Sequence, residues 1–159
     1  MIARRDYMKE ALDQAARGAQ AGEVPVGAVV VAPDGTILAS AHNRVEQDDD
    51  PTAHAELLAL RAAAAGSGSA RLADCDLYVT LEPCAMCAQA IAFARIRRLY
   101  FGAYDPKGGG VDHGARIFQQ PTCHHQPQVV GGLQEQACGD LLRDFFRDRR
   151  AAQARDHQQ

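Results

Sequence analysis

Two short segments of the chain carry the residue types that bind a transition metal and move protons. The first is His54-Ala-Glu56 and the second is Pro83-Cys84-Ala-Met-Cys87. Two cysteines three residues apart place their sulfur atoms on one side of a helix, within one turn. The proline suits the first turn of a helix, and a helix N-terminus favours a thiolate over a thiol. We therefore expect Cys84 and Cys87 to bind one metal ion together.

His54 would complete a ligand set typical of zinc, which prefers tetrahedral nitrogen and sulfur ligands. Three protein ligands leave a fourth position for water, as in catalytic zinc sites, whereas structural sites usually close all four positions. We expect one Zn2+ per subunit, held by His54, Cys84 and Cys87, with Glu56 as general base and general acid. The expected chemistry is hydrolytic attack on an amino-substituted ring carbon, which releases ammonia and leaves a carbonyl.

Each of these features has a simpler interpretation when it is taken alone. A C-x-x-C pair could be a redox pair or half of a structural site, and a lone histidine or glutamate on a helix is usually a surface or packing residue. In this order, with Pro83 directly before Cys84, they match the signature of zinc-dependent nucleobase deaminases. Two alternatives stay open: a deaminase of a free base or nucleoside, of the cytosine or guanine type, and a non-catalytic binding module stabilised by zinc.

Helical and extended patterns alternate along the chain, and their order predicts an α/β layered domain. The strand over 24–32 is rich in β-branched residues, as expected of a strand buried on both faces. The irregular segment 105–128 is long enough to be functional, and its glycines at 108–110 indicate a flexible loop rather than a phosphate cradle. The predicted elements are a helix over 4–21, strands over 24–32 and 36–41, a helix from an N-cap at Thr52 to about Ala65, a strand over 77–80, a helix over 83–95, a strand over 98–103, a weak strand at 129–130 and a helix over 133–150.

The bulk properties exclude several classes of protein. A chain of 159 residues with 47% apolar and 23% charged residues suits one compact domain, so we expect a single domain over 1–159 whose last few residues are disordered. No apolar run approaches the roughly 20 residues that a membrane helix needs. The first residues do not resemble a secretory signal, so we expect a cytoplasmic protein without membrane contact. The net charge of −3 gives no bulk basic signature of nucleic-acid binding.

The sequence closely resembles the bacterial tRNA-specific adenosine deaminase family, which converts the wobble adenosine of the anticodon to inosine. The likeness spans nearly the whole chain and is densest between Asn43 and Lys107. It implies a cytidine-deaminase-like fold, a three-layer α/β/α sandwich with a five-stranded mixed sheet. The matching segments are EVPVGAVVV at 23–31, NR at 43–44, DPTAHAE at 50–56, LYVTLEPCAMC at 77–87, ARIRRLYFGA at 94–103, DPKG at 105–108 and DFFRDRR at 144–150.

The resemblance also implies a substrate and the residues that hold it. The substrate would be the anticodon stem-loop of a tRNA, namely an arginine tRNA, and the working unit a homodimer whose partner subunit helps to complete the RNA-binding surface. Asn43 matches the family asparagine that hydrogen-bonds the flipped nucleotide. Of the two phenylalanines, one could instead be a core residue, and the DPKG segment could be an ordinary turn. The positions that fall where the family contacts the anticodon loop are Asp105, Lys107, Phe145, Phe146 and Arg149.

The chain departs from the family pattern after the irregular segment. His125 fits the pattern, but His124 stands where an RNA-contacting asparagine is often found. The departure concerns the substrate contacts of this loop and leaves the zinc chemistry unaffected. Cys123, His124 and His125 could in principle bind a second metal ion, although no further ligand follows at a suitable spacing. Cys75 and Cys138 are predicted to be small apolar packing residues.

Overall fold

The computed structural model describes residues 5–158, which form one mixed sheet with helices on both faces. The strand order is β2-β1-β3-β4-β5, and β1 runs antiparallel to both of its neighbours. Strands β3, β4 and β5 run parallel to one another, so the five-stranded mixed sheet is confirmed. The elements are α1 (Tyr7–Gln20), β1 (Gly27–Val31), β2 (Ile37–His42), α2 (Ala55–Ser67), β3 (Asp76–Leu81), α3 (Ala85–Phe93), β4 (Arg98–Ala103), a short 3-10 turn (Ile117–Gln119), β5 (Gln128–Val130) and α4 (Glu135–Asp156).

Alternate residues of the central strand β1 point into two separate cores. Val30 packs with buried residues of α2 and α3, such as Leu60 and Ile91. Val29 packs on the other side of the sheet with Met8 of α1 and Cys138 of α4. Every residue of β1 is buried, because side chains alternate between the faces and helices cover both of them. The three-layer α/β/α sandwich is therefore confirmed, as is the burial of this strand on both faces.

The start of β1 differs from the prediction for a steric reason. The strand begins at Gly27 and not at Val24, because the chain at Val24 turns and Val26 N–H donates to its carbonyl oxygen. A β-carbon at Gly27 would lie 1.9 Å from the carbonyl oxygen of Ala11, so β1 passes directly against the backbone of α1. Only glycine allows β1 and α1 to approach each other this closely.

The first turns of the two site-bearing helices also correct the prediction. Thr52 is not the N-cap of α2, because its hydroxyl donates to the carboxylate of Asp50 at 2.7 Å. His54 occupies the N-cap position with extended backbone angles, and Cys84 occupies the same position at the start of α3. Both residues were expected inside the first turn. Cys87 does lie there.

The remaining boundaries shift by a few residues. Asp6 caps α1, so the helix starts at Tyr7, and Arg4 of the predicted start lies outside the described residues. Arg95 adopts a positive φ of 61°, which ends α3 before the predicted Arg95. Helix α4 begins at Glu135 rather than near Leu133 and continues to Asp156, beyond the predicted end at Arg150. No helix between residues 5 and 158 is both long and apolar enough to cross a membrane.

The segment between β4 and β5 is irregular, as predicted, but it is packed rather than loose. Val111 and Phe118 are buried in the core on the α2 and α3 side of the sheet. The glycines at 108–110 were interpreted as loop flexibility, and two of them instead allow close packing. A β-carbon at Gly109 would lie 2.3 Å from Glu82 Oε2, and one at Gly110 would lie 2.5 Å from Ala85 N. This segment is therefore held against the start of α3.

Candidate active site

Three side chains from two helix starts converge on one point. His54 lies at the N-cap of α2, Cys84 at the N-cap of α3 and Cys87 in the first turn of α3. The Nδ1 atom of His54 lies 3.6 Å from the Sγ atom of each cysteine. Tetrahedral zinc, with bonds of about 2.3 Å to sulfur and 2.0–2.1 Å to nitrogen, separates these atoms by roughly 3.6 Å. The three donor atoms therefore fit a zinc ion. Within residues 5–158 they are the one group of three or more side chains arranged to hold a metal.

The two cysteine side chains shift each other's pKa in opposite directions. The hydrogen bond from Cys87, together with the bond to His54, lowers the pKa of the Cys84 thiol to about 4, although burial opposes this shift. The same bond to Cys84, together with burial, raises the pKa of Cys87 far above its ordinary value. Cys84 is therefore a thiolate at neutral pH, which is the form that binds zinc.

Glu56 lies in the first turn of α2, and its residue is only 4% exposed. It lines a cavity of about 330 Å³ together with His54 and Cys84. Burial raises the pKa of the Glu56 carboxyl above its ordinary value. A carboxyl group whose pKa is shifted towards neutrality is suited to accept a proton and to return it.

The walls of this cavity contain three of the predicted substrate-binding residues, namely Asn43, Asp105 and Arg149. Asn43 Oδ1 accepts a hydrogen bond of 2.8 Å from Ala55 N–H, the first residue of α2. This bond uses the side-chain oxygen of Asn43, so its NH2 group is the part that remains for a ligand. Arg149 reaches the cavity from α4.

A wider groove of about 880 Å³ adjoins the cavity and shares Val24, Leu81 and Asp105 with it. Lys107 and Phe146, two further members of the predicted substrate-binding set, line this groove. Sequence analysis missed the other basic residues of the groove. They are Arg143, Arg147 and Arg150 of α4.

Phe145 lies apart from the groove, on the side of α4 that faces α1. The guanidinium carbon of Arg149 lies 5.6 Å from the centroid of the Phe145 ring. The rings of Phe145 and Phe146 pack edge to face, with their centroids 5.5 Å apart. Neither phenylalanine is buried, so neither is a core residue. Phe145 therefore supports Arg149, while Phe146 is 40% exposed in the groove.

Comparison with known proteins identifies the family. Residues 1–103 match the model of the cytidine and deoxycytidylate deaminase zinc-binding region. The chain is 53% identical over 150 residues to the tRNA-specific adenosine deaminase of Agrobacterium fabrum, across 94% of this chain and 98% of that protein. It is 45% identical over 144 residues to the enzyme of the same name from Bacillus subtilis, across 91% of this chain and 89% of the relative. The chain belongs to the tRNA-specific adenosine deaminase family.

Solved structures share the fold of this deaminase. One, from work on A-to-I editing by tRNA deaminases at the wobble position, superposes with a TM-score of 0.84 at 52% identity, covering 87% of this chain and all of that one. A guanine deaminase from Nitrosomonas europaea gives a TM-score of 0.76 at 25% identity, covering 87% of this chain and 81% of the other. Since the zinc-binding region of the family spans His54, Cys84 and Cys87, zinc is the cofactor of this deaminase.

Two buried carboxylates beside the cavity escaped sequence analysis. Glu23 accepts backbone hydrogen bonds of 2.9 Å from both Glu46 and Gln47 in the loop after β2. Glu82 accepts bonds from the loop after β4. Burial raises the pKa of Glu82, but the bond from Asp105 N–H and those that accompany it outweigh burial, and its pKa lies below the ordinary value. The position of a glutamate directly before Pro83, at the end of a buried strand, is the signal that could have identified Glu82.

The histidines and cysteine after the 3-10 turn of this deaminase do not form a second metal site. The Cys123 thiol donates to the carbonyl oxygen of His125 at 3.2 Å. The Nε2 atom of His125 lies 2.7 Å from the carbonyl oxygen of Ile96, and together these bonds hold the loop before β5. His124 joins no metal-binding group within residues 5–158.

Cys75 and Cys138 are buried in the two cores, as predicted for packing residues.

Proposed function

We propose that this chain is a zinc-dependent hydrolytic deaminase that converts the wobble adenosine to inosine in tRNA anticodon loops. The observation that carries the proposal is that the cavity with Glu56 and the zinc ligands adjoins a groove lined by basic side chains and an exposed aromatic ring. Single-stranded RNA loops are held by stacking on aromatic side chains and by contacts to the phosphates. The relatives that align with nearly the whole chain are named tRNA-specific adenosine deaminases.

The residues of the cavity account for the proton movements of such a reaction. Zinc, when it is bound, activates a water molecule for attack near neutral pH. Glu56 takes one proton from the attacking water and delivers it to the ring nitrogen, and it then carries the second proton of that water to the departing amino group, which leaves as ammonia. The net reaction consumes one water, replaces the amino group with a carbonyl oxygen and releases one ammonia. The burial of Glu56 keeps bulk water away from these transfers.

The groove explains how an acidic chain would hold RNA. Arg143 and Arg147 form ion pairs with aspartates on α4 itself. Lys107, Arg149 and Arg150 form no ion pair with any residue between 5 and 158. Lys107 and Arg150 in the groove and Arg149 in the adjoining cavity are therefore available for phosphates, although the net charge of the chain is −3.

Five residues would then bind the nucleotides around the target, and a sixth, Phe145, would support one of them. Asn43 would bond the flipped adenosine through its NH2 group, and Phe146 would stack on a base. Asp105 and Arg149 would line the path into the cavity, with Phe145 holding the Arg149 guanidinium in place. Lys107 would contact a phosphate. Their positions in the cavity, in the groove and beneath Arg149 support these roles.

The test is to sequence the wobble position of an unmodified arginine-tRNA transcript that has adenosine there, after incubation with the zinc-loaded protein. We expect adenosine to be replaced by inosine, and a chelator to abolish the reaction until zinc is restored. Parallel arms measure ammonia released from free guanine, cytosine and their nucleosides. An unchanged adenosine in the presence of bound zinc would reject the tRNA substrate. Ammonia from a free base alone would favour the second class of deaminase.

The remaining expectations concern the state of the enzyme. We propose that residues 1–159 act as one deaminase domain, since all five strands belong to a single sheet. We also propose a homodimer, because α3, the helix that carries Cys84 and Cys87 at its start, presents Met86 and Phe93 to solvent. An anticodon substrate places the enzyme in the cytoplasm with the tRNA pool.

A further inference from the structure

Glu82 is a buried carboxylate that the deamination chemistry does not use. Its residue is 2% exposed, it directly follows β3, and it stands two positions before the zinc ligand Cys84. Burying a carboxylate is costly unless its oxygen atoms are hydrogen-bonded. The arrangement around Glu82 therefore needs enough donors to hold the charge.

Five donors from one segment surround this carboxylate. Oε1 accepts from the backbone N–H of Asp105 at 3.1 Å and from Nδ1–H of His113 at 2.7 Å. Oε2 accepts from the backbone N–H groups of Val111, Asp112 and His113 at 3.2, 3.0 and 3.1 Å. All five belong to residues 105–113, which we name the substrate loop because Asp105 and Lys107 lie in it. Both ends of the loop are thus fastened to one side chain.

Backbone contacts hold the middle of the substrate loop against the same structure. Gly110 N–H donates to the carbonyl oxygen of Pro83 at 2.8 Å, and Gly109 N–H donates to that of Asp105 at 2.8 Å. A β-carbon at Gly109 would lie 2.3 Å from Glu82 Oε2. The glycine therefore leaves room for the carboxylate inside the loop.

We propose that Glu82 is a positioning residue that fixes the substrate loop relative to the zinc ligand Cys84. Because only Pro83 separates Glu82 from Cys84, the residue that holds the loop and the residue that binds the metal belong to the same short backbone segment. Asp105 and Lys107 would be held at a constant distance from the metal, so that a nucleotide bound by the loop is in register with the reacting centre. The kinetic part of this inference rests on the proposed tRNA activity, whereas the anchoring of the loop does not.

The test uses Glu82→Gln, which keeps the size of the side chain but turns one acceptor oxygen into a donor. We expect amide hydrogen exchange in the substrate loop to become roughly tenfold faster or more, with one zinc per chain retained. We expect KM for an anticodon stem-loop to rise roughly tenfold while kcat stays within about threefold, because the loop binds substrate but takes no part in the chemistry.

A second variant covers the case in which Glu82→Gln fails to fold. In Gly109→Ala the new β-carbon would lie 2.3 Å from Glu82 Oε2 and 2.5 Å from the carbonyl oxygen of Asp105, so it forces the carboxylate and the loop apart without removing the charge. It should give the same exchange and the same rise in KM. Gly66→Ala is the matched control, because a β-carbon at Gly66 meets no atom within 4 Å. It should behave like the wild type.

The outcomes separate this inference from the proposed function. Unchanged exchange and unchanged KM in the Glu82 variant would overturn it. Loss of zinc with a parallel fall in kcat would also overturn it, because Glu82 would then support α3 rather than the loop. A wild-type protein that leaves tRNA unedited would reject the proposed function alone, while the exchange measurement would still decide whether Glu82 anchors the loop.

Discussion

At the scale of single residues, the proton transfers depend on Glu56. Glutamine at this position keeps the shape of the side chain but cannot take up a proton. We expect Glu56→Gln to lower kcat for wobble deamination by roughly 1,000-fold, since a positioned general acid and base contributes about 100- to 10,000-fold. Zinc content should stay at one ion per chain, because Glu56 is not a ligand. Inosine formation at saturating stem-loop and metal analysis of the same sample measure both quantities.

Glu135→Gln is the matched control for this variant. Glu135 also lies in the first turn of a helix, but it is exposed and lines neither the cavity nor the groove. Its replacement should leave kcat unchanged. A Glu56→Gln enzyme that retains more than a tenth of wild-type kcat would assign the proton transfers to another group.

The sequence predicts the metal ligands, but it does not predict the buried carboxylates that hold the loops around the cavity. His54, Cys84 and Cys87 lie in two short segments, and the types and spacing of these residues suffice to suggest one zinc ion. Glu82 and Glu23 gain their roles from partners 23 to 31 positions away along the chain. No local pattern encodes such partners, so these carboxylates become visible only in the folded protein.

At the scale of elements, the start of α2 is fixed by a side chain outside the helix. Asn43 Oδ1 accepts from Ala55 N–H, while the NH2 group of Asn43 is available to substrate. Asn43→Asp keeps the acceptor and loses the donor, so we expect stability close to wild type and kcat/KM for tRNA lowered roughly 10- to 100-fold. Asn43→Ala loses both groups, and it should also lower the free energy of unfolding by about 1 kcal/mol, as for a lost helix cap.

Chemical denaturation and steady-state kinetics on both Asn43 variants separate the two roles. If the aspartate variant unfolded as easily as the alanine variant, the bond to Ala55 would contribute nothing to the start of α2. If it deaminated tRNA at the wild-type rate, the NH2 group would have no part in substrate binding.

Local sequence patterns identified each of the predicted helices and strands, and the bounds of β4 as well, but not where several of the other elements begin. Strand β1 starts at Gly27 because the backbone of α1 passes there. This boundary depends on the position of α1, which the sequence around Gly27 does not encode. Helix α2 starts after His54 because Asn43, twelve residues away, supplies the cap. The α/β order could therefore be predicted from local sequence, whereas the boundaries depended on tertiary contacts.

At the scale of the whole molecule, the distribution of charge matters more than its sum. Lys107 and Arg150 line the same groove from different elements. We expect Lys107→Gln and Arg150→Gln each to raise KM for an anticodon stem-loop roughly five- to tenfold and to make binding less sensitive to salt, because one phosphate contact is lost. Activity measured from low to physiological salt tests both effects. The control is Arg71→Gln, which changes an exposed residue outside the groove. If this variant raised KM equally, RNA binding would depend on the overall charge of the protein rather than on the groove.

The outer face of α3 carries the apolar side chains through which we expect two chains to form a dimer. Phe93 is 69% exposed and Met86, two turns earlier on the same helix, is 36% exposed, while Ile91 and Ala92 fill the core. Large apolar side chains on one helix face favour association, and a second copy would bring its own α3 close to the zinc ligands. We expect a dimer by sedimentation velocity at micromolar concentration, and a monomer for Phe93→Glu, because a charge cannot be buried there without a partner.

The comparison with Leu38→Glu decides whether this effect is specific to α3. Leu38 is also an exposed apolar residue, at 38%, but it lies on the edge strand β2, so its variant should remain dimeric. If the partner helps to complete the RNA-binding surface, Phe93→Glu should keep its zinc and lose kcat/KM for tRNA together with the dimer. A wild-type monomer, or a monomeric variant with full tRNA activity, would mean that one chain carries the whole site.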